Sequence, residues 1–534
     1  MGYWSFYFLA KLALHGAGAI GLHGLWNLAF ALALCLPQPP GWAWRLRPLW
    51  AWPAALALLW HDAYWPPITR LIQQGTQLSQ FSPAYLSELM ERVVSWPMMA
   101  ALLLGAAVHA VANRYLRLGV VAIAGLLVAT LLSGLAVDGA GPGSEALAQA
   151  APAADPVTPA TGRLSSAELT TQLQQFYDAQ AAQSVLLPET GGQPPAFDLV
   201  FLSICSLAWD DLRVAGLDES LLLGRFDLVF RQFNSAATYS GPAVLRLLHA
   251  GCGQVPEHAL YEPDSARCYL FQRLNQAGWR SSLLLNHDGH FDGFADQLRR
   301  EGGMGLQPLD PRGAPIAMRS FDGSPVYDDR ALLTRWWQQQ VLSRSAKDGN
   351  APARPVALLY NTISLHDGNR SAALGSTSSL QTWKPRAQKL FADFEAFFRL
   401  IEDSGRPTVV VLVPEHGAGL RGDAVQIRGL REYPTPRITQ VPAGVALFGF
   451  GPRPAGQGPL SVDRPTSYSG LLAVISTLMQ AGTQPPWPHL ARIAAALPAM
   501  DWVAESGSSV VIRHDPYLYM RQGEAAWTDY PGGY

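Results

Sequence analysis

TVVVLVPEHG, residues 408–417, is the stretch on which the reading of this chain turns. A run of valine and leucine with strong β preference stops at a carboxylate and an imidazole, Glu415 and His416, and Gly417 then lets the backbone turn. Four more short apolar runs share that character: FDLVFLSI (197–204), SSLLLN (281–286), PVALLYN (355–361) and GVALFGF (444–450). Longer stretches of helical spacing lie between and around them, at 242–249, 329–343, 386–403 and 467–481. Short continuous apolar runs alternating with helices predict a parallel α/β sheet covered on both faces. In open sheets of this kind ligands bind beyond the carboxyl ends of the strands, so the residues after each run matter most.

Three of those ends carry chemistry. Cys205 follows FDLVFLSI, His366 and Asp367 follow PVALLYN within TISLHDGN, and Glu415 with His416 follows TVVVLVP. A thiolate, a carboxylate and an imidazole together make a plausible zinc site. Taken singly, Pro-Glu-His-Gly also fits a surface pair at a turn, and Cys205 a buried core thiol; their joint occurrence is what points to metal. A nucleophile candidate lies in FNSAATYSGPAVLRLL, where Ser240 precedes Gly241, Pro242 and the apolar rhythm Val244, Leu245, Leu247, Leu248. Serine as an N-cap with proline in the first turn predicts a helix start there, where free N–H groups and the dipole favour anions. Ser-Gly-Pro alone equally fits a cap without chemistry. Arg431, in GLREYPTPRI, can supply a charge-assisted bond to phosphate. His287 and His290 fit a second metal or substrate site, or plain loop histidines, whereas Asp210 and Asp211 read as turn caps.

The first 137 residues differ from the rest. Residues 17–36 are nearly all apolar, with further runs at Pro48–Trp65, Pro97–Ala112 and Gly119–Val137, so residues 1–137 predict a four-helix transmembrane anchor. YWSFYFLAKLAL, near the N-terminus, adds a fifth crossing or an interfacial helix. Arg45 and Arg47 separate the first two runs, and Arg114 and Arg117 the last two, which puts both short basic loops in the cytoplasm and everything after Val137 outside. The longer loop from Pro66 to Ser95 mixes Arg70, Glu88, Glu91 and Arg92 without a basic excess. Residues 138–195 predict a linker rich in Ala, Pro and Gly with one amphipathic helix at Ser165–Gln183, and 196–534 the catalytic domain. A net charge of −2 and a pI near 6.6 exclude nucleic acid as a partner drawn by a global field. Of four cysteines, Cys252 and Cys268 fit either a short disulfide loop or two unrelated thiols.

FLSICSLAWDDL, FNSAATYSGPAVLRLLHAGCGQ, FDGSPVYDD, NTISLHDGN, VPEHGAGLRGD and GLREYPTPRIT resemble the cellulose phosphoethanolamine transferases of bacterial cellulose secretion systems, the BcsG family. The resemblance covers essentially the whole chain. It implies an alkaline-phosphatase/sulfatase-like three-layer α/β/α domain in the periplasm of a multi-pass inner-membrane protein, using zinc to transfer phosphoethanolamine from phosphatidylethanolamine to glucose 6-hydroxyls of nascent cellulose. Carried over by motif, Ser240 is the nucleophile and binds zinc with Cys205, Glu415 and His416. His366 is the acid or base, Tyr239 and Arg431 contact phosphate or substrate, and Cys252 pairs with Cys268. The wider superfamily usually has Asp or Glu where Cys205 stands, which leaves the number of metals open. Subunits of the bacterial cellulose synthase complex are the implied protein partners. A sulfatase is disfavoured because Cys205 lacks the Cys-x-Pro-x-Arg context, and a serine hydrolase because no G-x-S-x-G elbow occurs. The rival readings are a transferase or phosphatase acting on another envelope acceptor, and a non-catalytic scaffold of the secretion complex.

Overall fold

The computed structural model describes residues 2–16, 20–36, 47–63, 80–93, 96–138, 163–183, 185, 187–188 and 195–530, with gaps at 219–221, 343–353, 376–377, 424, 452, 454–457 and 483–485. All five apolar runs form strands. In chain order the strands are β1 (Asp198–Ile204), β2 (Leu228–Asn234), β3 (Arg280–Leu285), β4 (Ile316–Arg319), β5 (Pro325–Tyr327), β6 (Val356–Thr362), β7 (Thr408–Leu412), β8 (Gln440–Phe448) and β9 (Leu460–Val462), followed by β10 (Trp502–Ser506), β11 (Ser509–His514), β12 (Tyr517–Gln522) and β13 (Thr528–Asp529). Seven of them make the central sheet, ordered β3-β6-β1-β7-β8-β2-β9, while β4 and β5 form a side ribbon and β10–β13 a separate antiparallel sheet.

The central sheet is mixed, which corrects the expectation of a parallel one: β8 runs antiparallel to both of its neighbours, β7 and β2. The stretch joining β7 to β8 stays at one edge of the sheet, so no crossover is needed. β2 escaped the sequence reading because Arg231 and Gln232 interrupt its apolar run, and β9 because it is three residues long. Strand alternation sorts the core into two layers. Leu199 and Phe201 of β1 pack with the helices Ser240–Leu248, Leu270–Gln276 and Tyr468–Ala481, whereas Val200, Leu202 and Ile204 pack with Asp329–Trp336 and Trp383–Ser404. In the last of these, Leu390, Phe394, Phe397 and Ile401 form the buried stripe expected of an amphipathic helix.

The amphipathic helix before the domain spans Ser166–Ala182 and opens with a capping box, Ser165 and Glu168 each bonding the other's backbone N–H. Leu169, Leu173 and Phe176 pack on Val503, Ile512 and Tyr519 of the C-terminal sheet. Cys252 and Cys268 form a disulfide across 16 positions, with Cα atoms 5.0 Å apart. Closing a loop of that size stabilises by about 3 kcal/mol, so Cys252→Ser with Cys268→Ser should lower the unfolding free energy by about that amount in a denaturant titration. Cys35 is exposed.

The chain divides into two compact units, one of residues 1–74 with 89–162 and one of residues 75–88 with 163–534. In the first, helices cover Trp4–Gly16, Gly24–Ala33, Arg47–Asp62, Trp96–Ala112 and Leu118–Asp138. Lys11, buried, pairs with buried Asp62 and donates to Asn27 Oδ1 at 2.7 Å, and Asn27 in turn donates to Asp62 at 2.6 Å. A buried ion pair with its remaining hydrogen bonds filled ties three of these helices together. Among the described residues no helix is long and apolar enough to cross a membrane. The expected first span, 17–36, has its helix only from Gly24 to Ala33, and Arg47–Asp62 and Trp96–Ala112 have 16 and 17 residues. The Ala/Pro-rich stretch 140–160 lies outside the described residues.

Candidate active site

The expected site residues gather because of strand direction. β1, β2, β3, β6 and β7 all end at the same edge of the sheet, and β8, being antiparallel, begins there. Cys205 therefore leaves β1 beside the residues leaving β6 and β7, and Arg431, just before β8, returns to the same place. Backbone hydrogen bonds fix the alignment. Cys205 N–H donates to Thr362 O at 3.0 Å, Glu415 N–H to Ile204 O at 2.9 Å, and Leu207 N–H to His416 O at 2.7 Å.

Two local features hold these turns. Ser206 has φ of 68°, a left-handed conformation uncommon for a residue with a side chain, and its hydroxyl accepts from Arg431 Nη1 at 2.9 Å. Asp211 accepts from the N–H groups of Ala208, Ala418 and Leu420 at 3.0, 2.7 and 3.1 Å, pinning the turn after His416 to the start of the helix Trp209–Ala215. Gly417 is required by that approach, since a Cβ would lie 2.7 Å from the Ala208 Cβ and 2.9 Å from Asp211 Oδ2.

The result is a buried cluster. One ligand-type atom each from Cys205, Glu415 and His416 lies within 4.8 Å of the others. Cys205 Sγ is 3.7 Å from His416 Nε2, and the Ser240 hydroxyl donates to Cys205 Sγ at 3.4 Å. Ser240 is the first residue of its helix, and Tyr239 holds the N-cap position; that corrects the expected cap by one residue. Its hydroxyl still lies at the helix start.

Burial disfavours the charged form of each of these groups. Burial, then the Glu415 charge, pushes the Cys205 thiol up to about 12. Burial raises the Glu415 carboxyl, and burial with the Arg431 charge drives the His416 imidazole well below its usual range. The donors fit a divalent metal on three counts. Glu415 Oε2 is buried with no hydrogen-bond partner. His416 Nδ1 is 2.9 Å from Gly417 O, which leaves Nε2, the nitrogen facing the thiol, as the ligand atom. Thiolate, imidazole and carboxylate are also the donor types zinc prefers.

His366 lies at the end of β6 with Nδ1 2.6 Å from Asp367 O and its ring 4.6 Å from that of Phe321. Burial, then Arg431, pushes its pKa down to about 4, so at neutral pH it is an uncharged imidazole. The Arg431 guanidinium lies 5.8 Å from the ring centroid of Tyr239, which is more than a third exposed. All the expected site residues are thus at this edge, and Cys252 and Cys268 are in their disulfide.

Several supporting residues were missed from sequence. Ser203 donates to Glu415 Oε1 at 3.0 Å, and Asn361 bonds the same oxygen. His287 Nε2 is 3.0 Å from Asn361 Oδ1, so this histidine, buried, orients a partner of Glu415, while His290 is exposed. Among the described residues neither joins a second metal-type cluster. The available signal was a polar residue, Ser203 or Asn361, inside an otherwise apolar strand near its carboxyl end.

A serine at a helix start thus lies beside a buried thiol, carboxylate and imidazole, at the carboxyl edge of an α/β sheet covered by helices on both faces. The chain belongs to the BcsG family. Residues 4–131 match the family model for the cellulose biosynthesis protein BcsG N-terminal domain, and residues 153–527 match that for its C-terminal domain. The chain is 36% identical to the cellulose biosynthesis protein BcsG of Escherichia coli K12 and 37% identical to that of Salmonella typhimurium LT2, in both cases over 99% of this chain and 96% of the relative. Among solved structures, a Vibrio parahaemolyticus protein of the alkaline phosphatase superfamily overlays with a TM-score of 0.48 at 14% identity, covering 67% of this chain and 87% of that one. The integral membrane lipooligosaccharide phosphoethanolamine transferase A of Neisseria meningitidis gives 0.42 at 14% identity, covering 79% and 82%.

Proposed function

We propose that this protein transfers phosphoethanolamine from phosphatidylethanolamine to the glucose 6-hydroxyls of emerging cellulose, through a phosphoethanolamine–serine intermediate on Ser240. The observation that carries the reading is the convergence of Ser240, Cys205, Glu415 and His416, which come from two different strand ends and a helix start. Zinc held by Cys205, Glu415 and His416, with Ser240, would lower the pKa of the serine hydroxyl and offset charge on the phosphoryl oxygens.

The chain's own groups account for the rest. Ser240 Oγ attacks phosphorus, the P–O bond to diacylglycerol breaks, and the proton given up by the serine hydroxyl ends on the departing glycerol oxygen. The free N–H groups at the start of the helix Ser240–Leu248 face the phosphoryl charge, and Arg431 is the cation for the non-bridging oxygens. A glucose hydroxyl then attacks, the P–Oγ bond breaks, and the proton released by that hydroxyl is passed on to Ser240 Oγ, which restores the serine. His366, uncharged near neutrality, takes the proton from that hydroxyl. Tyr239, exposed beside Ser240, contacts substrate.

Family membership supports cellulose as the acceptor and the cellulose synthase subunits as partners. The N-terminal helices are read as an inner-membrane anchor of four or five spans that keeps the domain in the periplasm, next to its lipid donor. Residues 138–195 then connect the anchor to the domain that begins near 196.

Incubating the chain with phosphatidylethanolamine and weighing it intact tests donor and nucleophile together. The expected result is a mass increment of one phosphoethanolamine on Ser240, discharged when a cello-oligosaccharide is added. An unmodified chain, or a label elsewhere, overturns the reading.

A further inference from the structure

The loop between the second and third apolar runs received no role from the sequence, yet its described residues 80–88 belong to the same compact unit as the catalytic domain. Tyr85 and Glu88, on the helix Pro83–Val93, are both buried there. Tyr85 Oη donates to Asp367 Oδ2 at 2.8 Å, although the two residues are 282 positions apart. Glu88 Oε2 pairs with Arg370 at 2.8 Å, and its Oε1 accepts from Ser378 Oγ at 2.7 Å and from the Ser379 N–H at 2.9 Å. Ser379 also bonds the other oxygen of Asp367.

The segment grips the far side of the same loop through its rings. Ser82 N–H donates to Phe321 O at 2.9 Å, and Phe81 packs edge-on to Phe321, the ring that lies against His366. Gly368, with φ of 81°, leaves room for this contact: a Cβ there would be 2.5 Å from Phe321 and 2.9 Å from the Tyr85 ring. Arg386 holds the loop from within, donating to the carbonyls of Ser364 and His366 at 2.7 and 3.0 Å. The turn carrying His366 is therefore clamped between Arg386 on its own domain and a segment that lies before that domain in the chain.

We propose that Tyr85 and Glu88 are positioning residues for His366, supplied by the loop between the second and third apolar runs. The proposal rests on the reading of His366 as the proton acceptor in the transfer reaction. Neither residue touches the reacting atoms; both act by fixing residues 366–370, so their loss misplaces the imidazole and leaves the cluster of Cys205, Ser240, Glu415 and His416 intact. Sub-ångström placement of such a group is worth orders of magnitude in rate. The brace also makes full activity depend on the part of the chain before the catalytic domain.

The test uses the full chain in phosphatidylethanolamine-containing nanodiscs with cellopentaose as acceptor. It compares wild type, Tyr85→Phe, Glu88→Gln, His366→Ala and the two double variants with His366→Ala. Tyr85→Phe keeps the ring on Gly368 and removes only the hydroxyl; Glu88→Gln keeps the shape and removes the charge. Each should lower kcat about tenfold with the acceptor KM within about twofold, and neither should slow the His366→Ala enzyme further. That non-additivity is what a merely structural role would not produce. Wild-type kcat in both variants, or losses that multiply with His366→Ala, overturns the proposal while the site reading stands. A wild-type chain that transfers nothing sinks the site reading, and this proposal with it.

Discussion

Ser240→Ala is expected to cut phosphoethanolamine transfer by at least about 10⁴-fold, equivalent to more than about 5 kcal/mol of transition-state stabilisation. The reason is that this hydroxyl, 3.4 Å from Cys205 Sγ, both reaches the metal-type cluster and lies at the start of its helix. Removing it takes away the covalent route and the oxygen that Ser240 would offer the metal, and leaves Cys205, Glu415 and His416 in place. Folding should be nearly unaffected, because Ser240 is only partly buried and the N-cap position belongs to Tyr239. The comparison to make is transfer rate against unfolding midpoint for the same preparation. A scaffold would lose nothing on this substitution, and retained modification of cellulose by the variant would end the nucleophile assignment.

Glu415→Gln should have the second largest effect, with a sign that reverses with metal. On the proposed reading the carboxylate is a zinc ligand whose charge helps offset the cation, so the amide should release zinc and reduce transfer by about 10³-fold. Zinc per chain, read by elemental analysis after dialysis, checks the first part. Stability gives the second. Metal at about a thousand times its dissociation constant stabilises the wild type by about 4 kcal/mol, and the variant should lack that increment. After chelation the order inverts. Glu415 is then a buried carboxyl raised by burial, with Oε2 lacking a hydrogen-bond partner, and the neutral amide removes a group that resists burial as a charge. Equal zinc content in both proteins, or a variant that unfolds earlier than the chelated wild type, would show that Glu415 is only a structural acid.

Much of the catalytic domain is legible before any coordinates. The five strand runs and the four longer helices announce themselves through continuous apolar stretches and through stripes such as Leu390, Phe394, Phe397 and Ile401. Where the pattern was broken the reading failed: β2 carries Arg231 and Gln232 on an exposed patch, and the C-terminal sheet of β10–β13 mixes charged and aromatic residues along short strands. In the N-terminal unit, apolar composition alone could not say where helix begins; residues 20–23 are not helical although they fall inside the expected span 17–36.

What the amino-acid order determined by itself was local: which segments are strands, which residue types end them, and that a serine opens a helix. Those properties depend on neighbours one to four positions away, so they are written in periodicity and capping. Only the tertiary structure decided that β8 reverses direction, that a thiol, a hydroxyl, a carboxylate and an imidazole meet within a few ångströms, and that Tyr85 reaches Asp367 across 282 positions. Contacts between distant segments are selected by the packing of whole layers, and they leave no period, cap or turn in the sequence that forms them.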